Sequence, residues 1–329
     1  MSESVVLLLD GAECTPAALR VACALRDISR STLHILHAAE HAPPPREVLE
    51  ERSGVTGGRP LPPSAGVGMP SRSGATDVIA QLGLDAASLR GCVIHEVAGD
   101  VPRAVLALAA RERARAIVLC TRSAADDPRR SLGEHARGVL AEARVPVVLV
   151  RPDAVGPAWE LREVLLPHDG TPATSQAIRP AAQIARDAHA KLLALHVATP
   201  GKDAPRAAAR RAEPGSLPVP RYVDQPHHEW PEWASEFLER VEAAAPLDPG
   251  QLRLFLGQGE TGSEVLRAAE TEKADLIVLA WHGTLDPDHA QVFKALLRRA
   301  PCPLMILRVP KRAEAGRAES RPEASPQPR

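Results

Sequence analysis

The chain has 329 residues, of which 44% are apolar and 25% are charged, and its formal net charge is −1. This length accommodates two domains with separate cores, and the balanced charge provides no overall basic surface for nucleic acid. No apolar run reaches the ~18 residues of a membrane-spanning helix. The sequence therefore predicts neither a nucleic-acid partner nor a membrane partner.

The cysteines are scattered along the chain and show no C-x-x-C spacing, which argues against a zinc site or a disulfide framework. The first residues lead directly into an apolar run and lack the basic segment of a signal peptide. We expect a cytoplasmic protein without a bound metal. The five cysteines are Cys14, Cys23, Cys92, Cys120 and Cys302.

Short apolar runs alternate with helical periodicities through the first half of the chain. Continuous apolar runs are typical of parallel strands that are covered on both faces. A stretch rich in Pro, Gly and Ser at residues 41–75 predicts a long loop insertion. The predicted strands are residues 4–9, 33–38, 93–97, 116–119 and 145–150, and the predicted helices are residues 15–30, 75–84, 101–113 and a segment that begins near Gly133.

The second half repeats the first in register. Residues 164–170 repeat residues 5–11, and residues 191–197 repeat residues 32–38, both at an offset of 159. The offset becomes 160 for the fourth strand, at residues 276–279, and 157 at the last strand. This register indicates an internal duplication, whose second copy is three residues shorter between its fourth and fifth strands.

The pattern predicts an α/β fold: two Rossmann-like, doubly wound, mostly parallel five-stranded sheets in tandem, flanked by helices. Domain 1 is predicted at residues 1–152 and domain 2 at residues 161–310, with a linker at 153–160. A second Pro-rich insertion occupies residues 199–231. The polar tail at residues 311–329 has little to bury, so we predict that it is disordered.

Ligands of doubly wound sheets bind beyond the carboxyl ends of the strands, where the strand order reverses. Each Asp at such a strand end also has a simpler interpretation, in which it caps the turn that follows. The candidate positions are Asp10, Ala38, Gly99 and the loop from Cys120 in the first copy, and Asp169, Val197, Gly259 and the loop from Ala280 in the second.

Both copies resemble the universal stress proteins, over roughly residues 4–151 and 161–309. The resemblance rests on first strands that end in Asp-Gly at positions 10 and 169, on a glycine before the third helix, and on Pro-flanked last strands. In nucleotide-binding members, the resemblance implies a loop of the form Gly-x2-Gly-x9-Gly-Ser/Thr around the phosphates. The Asp of the first strand would contact the adenosine end.

The first copy keeps the spacing of this loop and loses much of its chemistry. Cys120 and Ser123 replace the first two glycines, Gly133 stands at the third, and Glu134 replaces the hydroxyl residue. A carboxylate repels a phosphate by about 1 kcal/mol at ~4 Å in water. Donors nevertheless remain, so binding of ATP, ADP or AMP in domain 1 is an open alternative. These donors are Thr121, Arg122 and His135.

The second copy departs further from the family pattern. Its loop begins at Ala280, continues through Trp281 and His282 to Gly283, and is three residues short. Trp281 is expected to crowd or stack at the mouth of the pocket.

Cys120 in the first copy has two interpretations: a redox thiol stabilised by its neighbours, or a small residue that fills a strand end.

The strand ends show no Ser-His-Asp or paired-carboxylate arrangement, so we expect no catalytic residues and no enzyme. The sequence predicts a non-catalytic cytoplasmic stress-response protein with degenerate nucleotide pockets, which acts through a partner or a small ligand. The alternatives are an adenine-nucleotide-binding stress sensor that uses domain 1, and a weak ATPase. The apolar last strands are expected to pair as an intramolecular pseudo-dimer, and two chains could form a homodimer.

Overall fold

A computed structural model of the chain describes residues 3–10, 15–38, 71–72, 91–97, 99–121, 128–169, 172–198, 239, 243, 247–248, 250–281 and 290–309. The strands are β1 (Ser4–Leu9), β2 (Thr32–Ala38), β3 (Ser71–Arg72), β4 (Val93–Val97), β5 (Ala114–Cys120), β6 (Val147–Val150), β7 (Glu163–Pro167), β8 (Lys191–Ala198), β9 (Leu252–Gln258), β10 (Leu276–Trp281) and β11 (Leu304–Arg308). The helices are α1 (Thr15–Ser29), α2 (Val101–Arg111), α3 (Pro128–Glu142), α4 (Pro172–Ser175), α5 (Ile178–Asp187), α6 (Thr261–Thr271) and α7 (Gln291–Arg299), with a 3-10 turn at Pro152–Ala154.

The strands form one continuous sheet in the order β3-β4-β2-β1-β5-β6-β11-β10-β7-β8-β9. Each half contributes five parallel strands, in the order β4-β2-β1-β5-β6 and in its repeat β9-β8-β7-β10-β11. The halves join where β6 and β11 pair in antiparallel orientation, with Val148 opposite Met305. The predicted α/β fold with mostly parallel sheets is confirmed, and the two sheets are continuous with each other.

Helices cover both faces of this sheet and bury nearly all of its apolar side chains. One face packs against α1 and α5, and the other packs against α2, α3, α6 and α7. Every residue of β1 is buried, as expected for a central strand between two layers of helices. Alanine is frequent at the helix positions that face the sheet, so the cores are built with few aromatic side chains.

One sequence prediction of a loop is wrong in part. Residues 41–75 were expected to form an irregular insertion, but β3 lies within them and pairs in antiparallel orientation with Glu96 and His95 of β4. Pairing with β3 gives β4 a hydrogen-bonded neighbour on its outer edge. Four predicted segments lie outside the described residues: the rest of that insertion, the helix at 75–84, the insertion at 199–231 and the tail at 311–329.

No helix within the described ranges is long and apolar enough to cross a lipid bilayer.

Candidate functional site

The strand order of the first half brings its predicted site residues to one edge of the sheet. The chain runs from β1 outward through β2 to β4 and then returns to the other side of β1 as β5, so the order reverses between β1 and β5. Asp10 directly follows β1, and Cys120 ends β5. Ala38 ends β2, and Gly99 follows β4. This reversal is where a doubly wound sheet leaves a crevice for a ligand.

At this edge, Asp10 is paired with His135 of α3. The Nδ1 atom of His135 lies 3.2 Å from Oδ2 of Asp10. A carboxylate can only accept, so the ring N–H donates in this bond. The two side chains are 35% and 28% exposed, so water screens the pair and its contribution to stability is small. The carboxylate that would face an adenosine therefore already has a partner within the protein.

The third glycine of the family loop retains a conformation that other residues avoid. Gly133 has φ 68° and ψ 169°, which breaks α3 into two helical segments. The sequence predicted that a helix begins near this residue, whereas the structure begins α3 at Pro128. No atom of the described residues lies within 4 Å of the place where a Cβ would stand, so the backbone conformation is what favours glycine here. Glu134 follows it and is exposed to solvent.

Two other loop residues of the first half are turned toward the protein interior. Thr121 is buried, and both its hydroxyl and its backbone N–H donate to the carbonyl of Val150, at 3.3 and 2.8 Å. The hydroxyl proton of Thr121 is thus used within the sheet, and Thr121 would have to leave Val150 to donate to a ligand. Cys120 is half-buried and packs against the core on the α1 side, as a residue that fills a strand end would. Arg122 and Ser123 lie outside the described residues.

The two equivalent helices α2 and α6 are capped by carboxylates that the sequence analysis missed. Asp100 accepts a hydrogen bond from the N–H of Arg103 at 3.1 Å. Glu260 accepts from the N–H groups of Gly262 and Ser263, at 2.9 and 2.7 Å. A hydrogen bond from the side chain of Ser263 and, after it, these bonds from the N–H groups lower the pKa of Glu260. The sequence contains a pattern that predicts these caps: an acidic residue directly follows Gly99 and Gly259, at the offset of 160.

In the second half, Asp169 is also engaged by its own chain. It follows β7, and its Oδ1 accepts a hydrogen bond of 2.6 Å from the hydroxyl of Thr174 in α4. This contact agrees with the simpler interpretation, in which the carboxylate orders the turn that follows the strand. Val197 lies at the end of β8 opposite Gly257 and packs against the core, and Ala280 near the end of β10 also contacts the core.

A pair of histidines lies beside Asp169 and was not predicted as part of the site. The Nδ1–H of His196 donates to the backbone carbonyl of His168 at 2.9 Å, and the hydroxyl of Ser175 lies 3.3 Å from Nε2 of His168. Burial lowers the pKa of His196, against the opposing effects of this hydrogen bond and of Asp169. The recurrence of a histidine at the end of the second strand in both halves, His37 and His196, was the only sequence signal.

The prediction that Trp281 crowds the mouth of a pocket is wrong. Its side chain is 6% exposed and stacks on Phe293 of α7, with ring centroids 5.2 Å apart. Trp281 is therefore a core residue of the face that α6 and α7 cover. Ala290, which precedes α7, has φ 60° and ψ 35°. His282 and Gly283 lie outside the described residues, and the described part of the chain contains no group of three His, Cys, Asp or Glu residues that could hold a metal ion.

Known structures resemble this chain along most of its length. A universal stress protein from Archaeoglobus fulgidus is 16% identical with a TM-score of 0.58, and the match covers 94% of this chain and 99% of that chain. A Pseudomonas aeruginosa protein assigned to the universal stress proteins is 15% identical with a TM-score of 0.52, and the match covers 93% of each chain. At these identities the similarity shows the fold.

A shorter neighbour was solved with a nucleotide. It is the universal stress protein from Archaeoglobus fulgidus in complex with dAMP, which is 15% identical and has a TM-score of 0.27, with a match over 45% of this chain and 97% of that chain. A comparison with curated protein sequences gives no match.

The model of the universal stress protein family matches the chain twice, at residues 1–151 and 160–308. The matches include β1 to β6 and β7 to β11, and thus both strand-order reversals. The chain belongs to the universal stress protein family and carries two copies of its domain.

Proposed function

We propose that this chain is a non-catalytic, cytoplasmic stress-response protein whose two nucleotide pockets are degenerate, and that it acts by binding a partner or another small ligand. The observation that carries this proposal is the pairing of both strand-end carboxylates with side chains of the same chain, Asp10 with His135 and Asp169 with Thr174. A nucleotide would have to compete with these internal partners for its hydrogen bonds.

Other donors at the same edges are engaged in a similar way. The hydroxyl of Thr121 is directed to Val150, and the N-terminal N–H groups of α2 and α6 are directed to Asp100 and Glu260. Carboxylates at those helix ends also repel an anionic ligand. The cytoplasmic assignment rests on the scattered cysteines. We extend the proposal to a homodimer of two chains, and analytical ultracentrifugation tests this association.

Calorimetric titration with ATP, ADP and AMP tests the pocket. We expect no binding up to millimolar nucleotide for the natural protein. His135→Ala releases Asp10, and Thr174→Ala is the matched change in the second half. Weak binding gained by His135→Ala would support a pocket occupied by its own side chain. Micromolar binding by the natural protein that Asp10→Ala abolishes would overturn the proposal.

An adenine-nucleotide sensor in domain 1 is the second candidate, and Gly133 favours it. Its backbone, at φ 68° and ψ 169°, has a conformation that glycine allows, at the place where the family loop closes on phosphate. The same titration decides between the two candidates. A weak ATPase would in addition release phosphate continuously, and that release would be lost in Asp10→Ala.

A further inference from the structure

A cavity of about 370 Å³ lies at the junction of the two halves, remote from both strand-end sites. It lies between the C-terminal end of α1 and one side of α5 that extends from Arg179 to Asp187, and its floor includes the first residues of β5 and the turn before β6. Its volume falls in the range of sites that hold small molecules in proteins. The residues that line it come from both copies of the domain, so a single copy would not form it.

The inner walls of the cavity are apolar. Leu25 and Met305 are 5% and 4% exposed, and Ile28 and Ile184 are half-buried, one contributed by each of the two helices. Binding of an apolar group against these walls is favourable by about 25 cal/mol per Å² of apolar surface removed from water. They favour the hydrocarbon part of a ligand over a second charged group.

The mouth of the cavity is basic. Four arginines and two carboxylates line the cavity, so its charged side chains sum to +2. Both carboxylates are engaged by one arginine, because Arg115 lies 3.2 Å from Glu3 and 3.6 Å from Asp187. The pair with Asp187 also connects the two halves. Because Arg115 pairs with both carboxylates, the other three arginines that line the cavity have no carboxylate partner there.

Those three are Arg113, Arg144 and Arg179, and all of them are exposed. Within the described ranges, no side chain forms an ion pair or hydrogen bond with any of their guanidinium groups. Three cations around one opening repel each other, and an anion at that opening would relieve the repulsion. Arg179 lies in the first turn of α5, where a positive charge opposes the helix dipole. Guanidinium groups bind carboxylates and phosphates with paired, charge-assisted hydrogen bonds.

We infer that this cavity binds an organic anion with an apolar body: a carboxylate or a phosphate ester at the ring of arginines, and a hydrocarbon chain or ring against Leu25, Ile28, Ile184 and Met305. The site is separate from the strand-end pockets and does not depend on whether they bind nucleotide. It gives the tandem arrangement a ligand site that a single domain lacks.

Calorimetric titration with three probes tests the two requirements separately. Decanoate, kept below its micelle concentration, has both a charged head and an apolar body. Decanol lacks the charge, and inorganic phosphate lacks the body. Decanoate is expected to bind at least about tenfold more tightly than either of the others. Equal binding of decanol, equal binding of phosphate, or no binding of decanoate would each overturn the inference.

Variants then locate the site. Arg144→Gln and Arg179→Gln should each weaken decanoate binding by about tenfold, the loss expected for one charge-assisted hydrogen bond. Arg137→Gln, an equally exposed change on α3 at the opposite face of the sheet, should leave it unchanged. Gln183→Trp should fill the cavity and abolish binding, with folding checked by circular dichroism. Decanoate binding that none of the three cavity variants weakens would contradict the assignment. AMP should not displace decanoate from the natural protein.

Discussion

At the carboxyl ends of their strands, the two halves of the chain fill equivalent positions with different residues. After β5, Thr121 is buried and is held to Val150 by hydrogen bonds, whereas after Ala280 in β10 a buried Trp281 stacks on Phe293. Within α3, Gly133 has φ 68° and ψ 169°. The equivalent residue of the second half is Ala290, directly before α7, at φ 60° and ψ 35°. At these positions the first half has a backbone conformation that favours glycine and a hydrogen-bonded threonine, whereas the second half has an alanine and a core tryptophan.

This difference shows that two copies of one domain can fill equivalent strand-end positions either with a hydrogen-bonded polar side chain or with an aromatic core side chain. A large aromatic side chain in the second half buries surface that the first half does not bury there. The strand-end carboxylates are alike in the two halves, since each is paired with a side chain of its own chain. The cavity at the junction is, by contrast, a feature that only the joined halves possess.

The largest expected effect comes from Trp281→Ala. Removal of a buried aromatic side chain leaves a cavity and should lower the free energy of unfolding by about 3–5 kcal/mol. Thr121→Ala, at the equivalent position of the first half, loses one hydrogen bond and should cost about 1 kcal/mol. Urea denaturation measures both values. Trp281→Phe retains a ring against Phe293 and should recover most of the loss, and equal costs for Trp281→Ala and Thr121→Ala would abolish the contrast between the halves.

The next effect is expected from Gly133→Ala. The backbone at this position lies in a region that is populated almost only by glycine, so alanine should cost about 1–3 kcal/mol. Gly156→Ala is the matched control, because it has open space around its Cα and no left-handed φ. Its effect should be close to zero. A free energy of unfolding that is unchanged in Gly133→Ala would mean that the loop relaxes readily into another conformation.

The sequence was sufficient to predict the architecture because each strand is a continuous apolar run and each half repeats the other in register. β1 and β4 were predicted with the bounds that the structure shows, and the reversal of strand order followed from the alternation of strands and helices. The two-residue β3 was missed, since Ser71 and Arg72 carry no apolar pattern and pair through the backbone.

The positions of the site residues were predictable, but their contacts were not. Asp10 and Cys120 were correctly expected at one edge of the sheet. The pairing of Asp10 with His135 joins residues 125 positions apart and depends on how α3 lies over the strand end. Trp281 was misjudged because an aromatic residue at a strand end can turn either to the loop or to the helix layer, and Phe293 in α7 decides for the helix layer.

A smaller effect with the opposite sign is expected from Ala290→Gly. Alanine in a left-handed conformation is strained by about 1–2 kcal/mol, and glycine relieves that strain. Ala290 is half-buried, so loss of its methyl group offsets part of the gain, and we expect a net stabilisation below about 1 kcal/mol. Ala295→Gly within α7 is the control and should be destabilising by about 1 kcal/mol. Destabilisation by Ala290→Gly would show that packing outweighs backbone strain.

The smallest expected effect is a dependence of stability on pH that comes from the second half. Burial lowers the pKa of His196 below its ordinary value of 6.5, so the folded protein binds this proton less readily than the unfolded chain does. The contribution to stability is fully present above pH 6.5 and is lost as the pH falls from there toward the folded-state pKa. The free energy of unfolding should therefore decrease over that interval, and His196→Gln should flatten part of the decrease.

A titration of the His196 ring signals by NMR tests the cause directly, because the neutral ring is held by donation from Nδ1 to the carbonyl of His168. We expect the ring to remain neutral at a pH where an exposed imidazole is half protonated. If the ring titrates at the ordinary value, this pH dependence vanishes. If it titrates above that value, the hydrogen bond and Asp169 outweigh burial, and the sign of the pH dependence reverses. In that case burial would not decide the charge of His196, and the difference of the second half from the first would rest on Trp281 and Ala290.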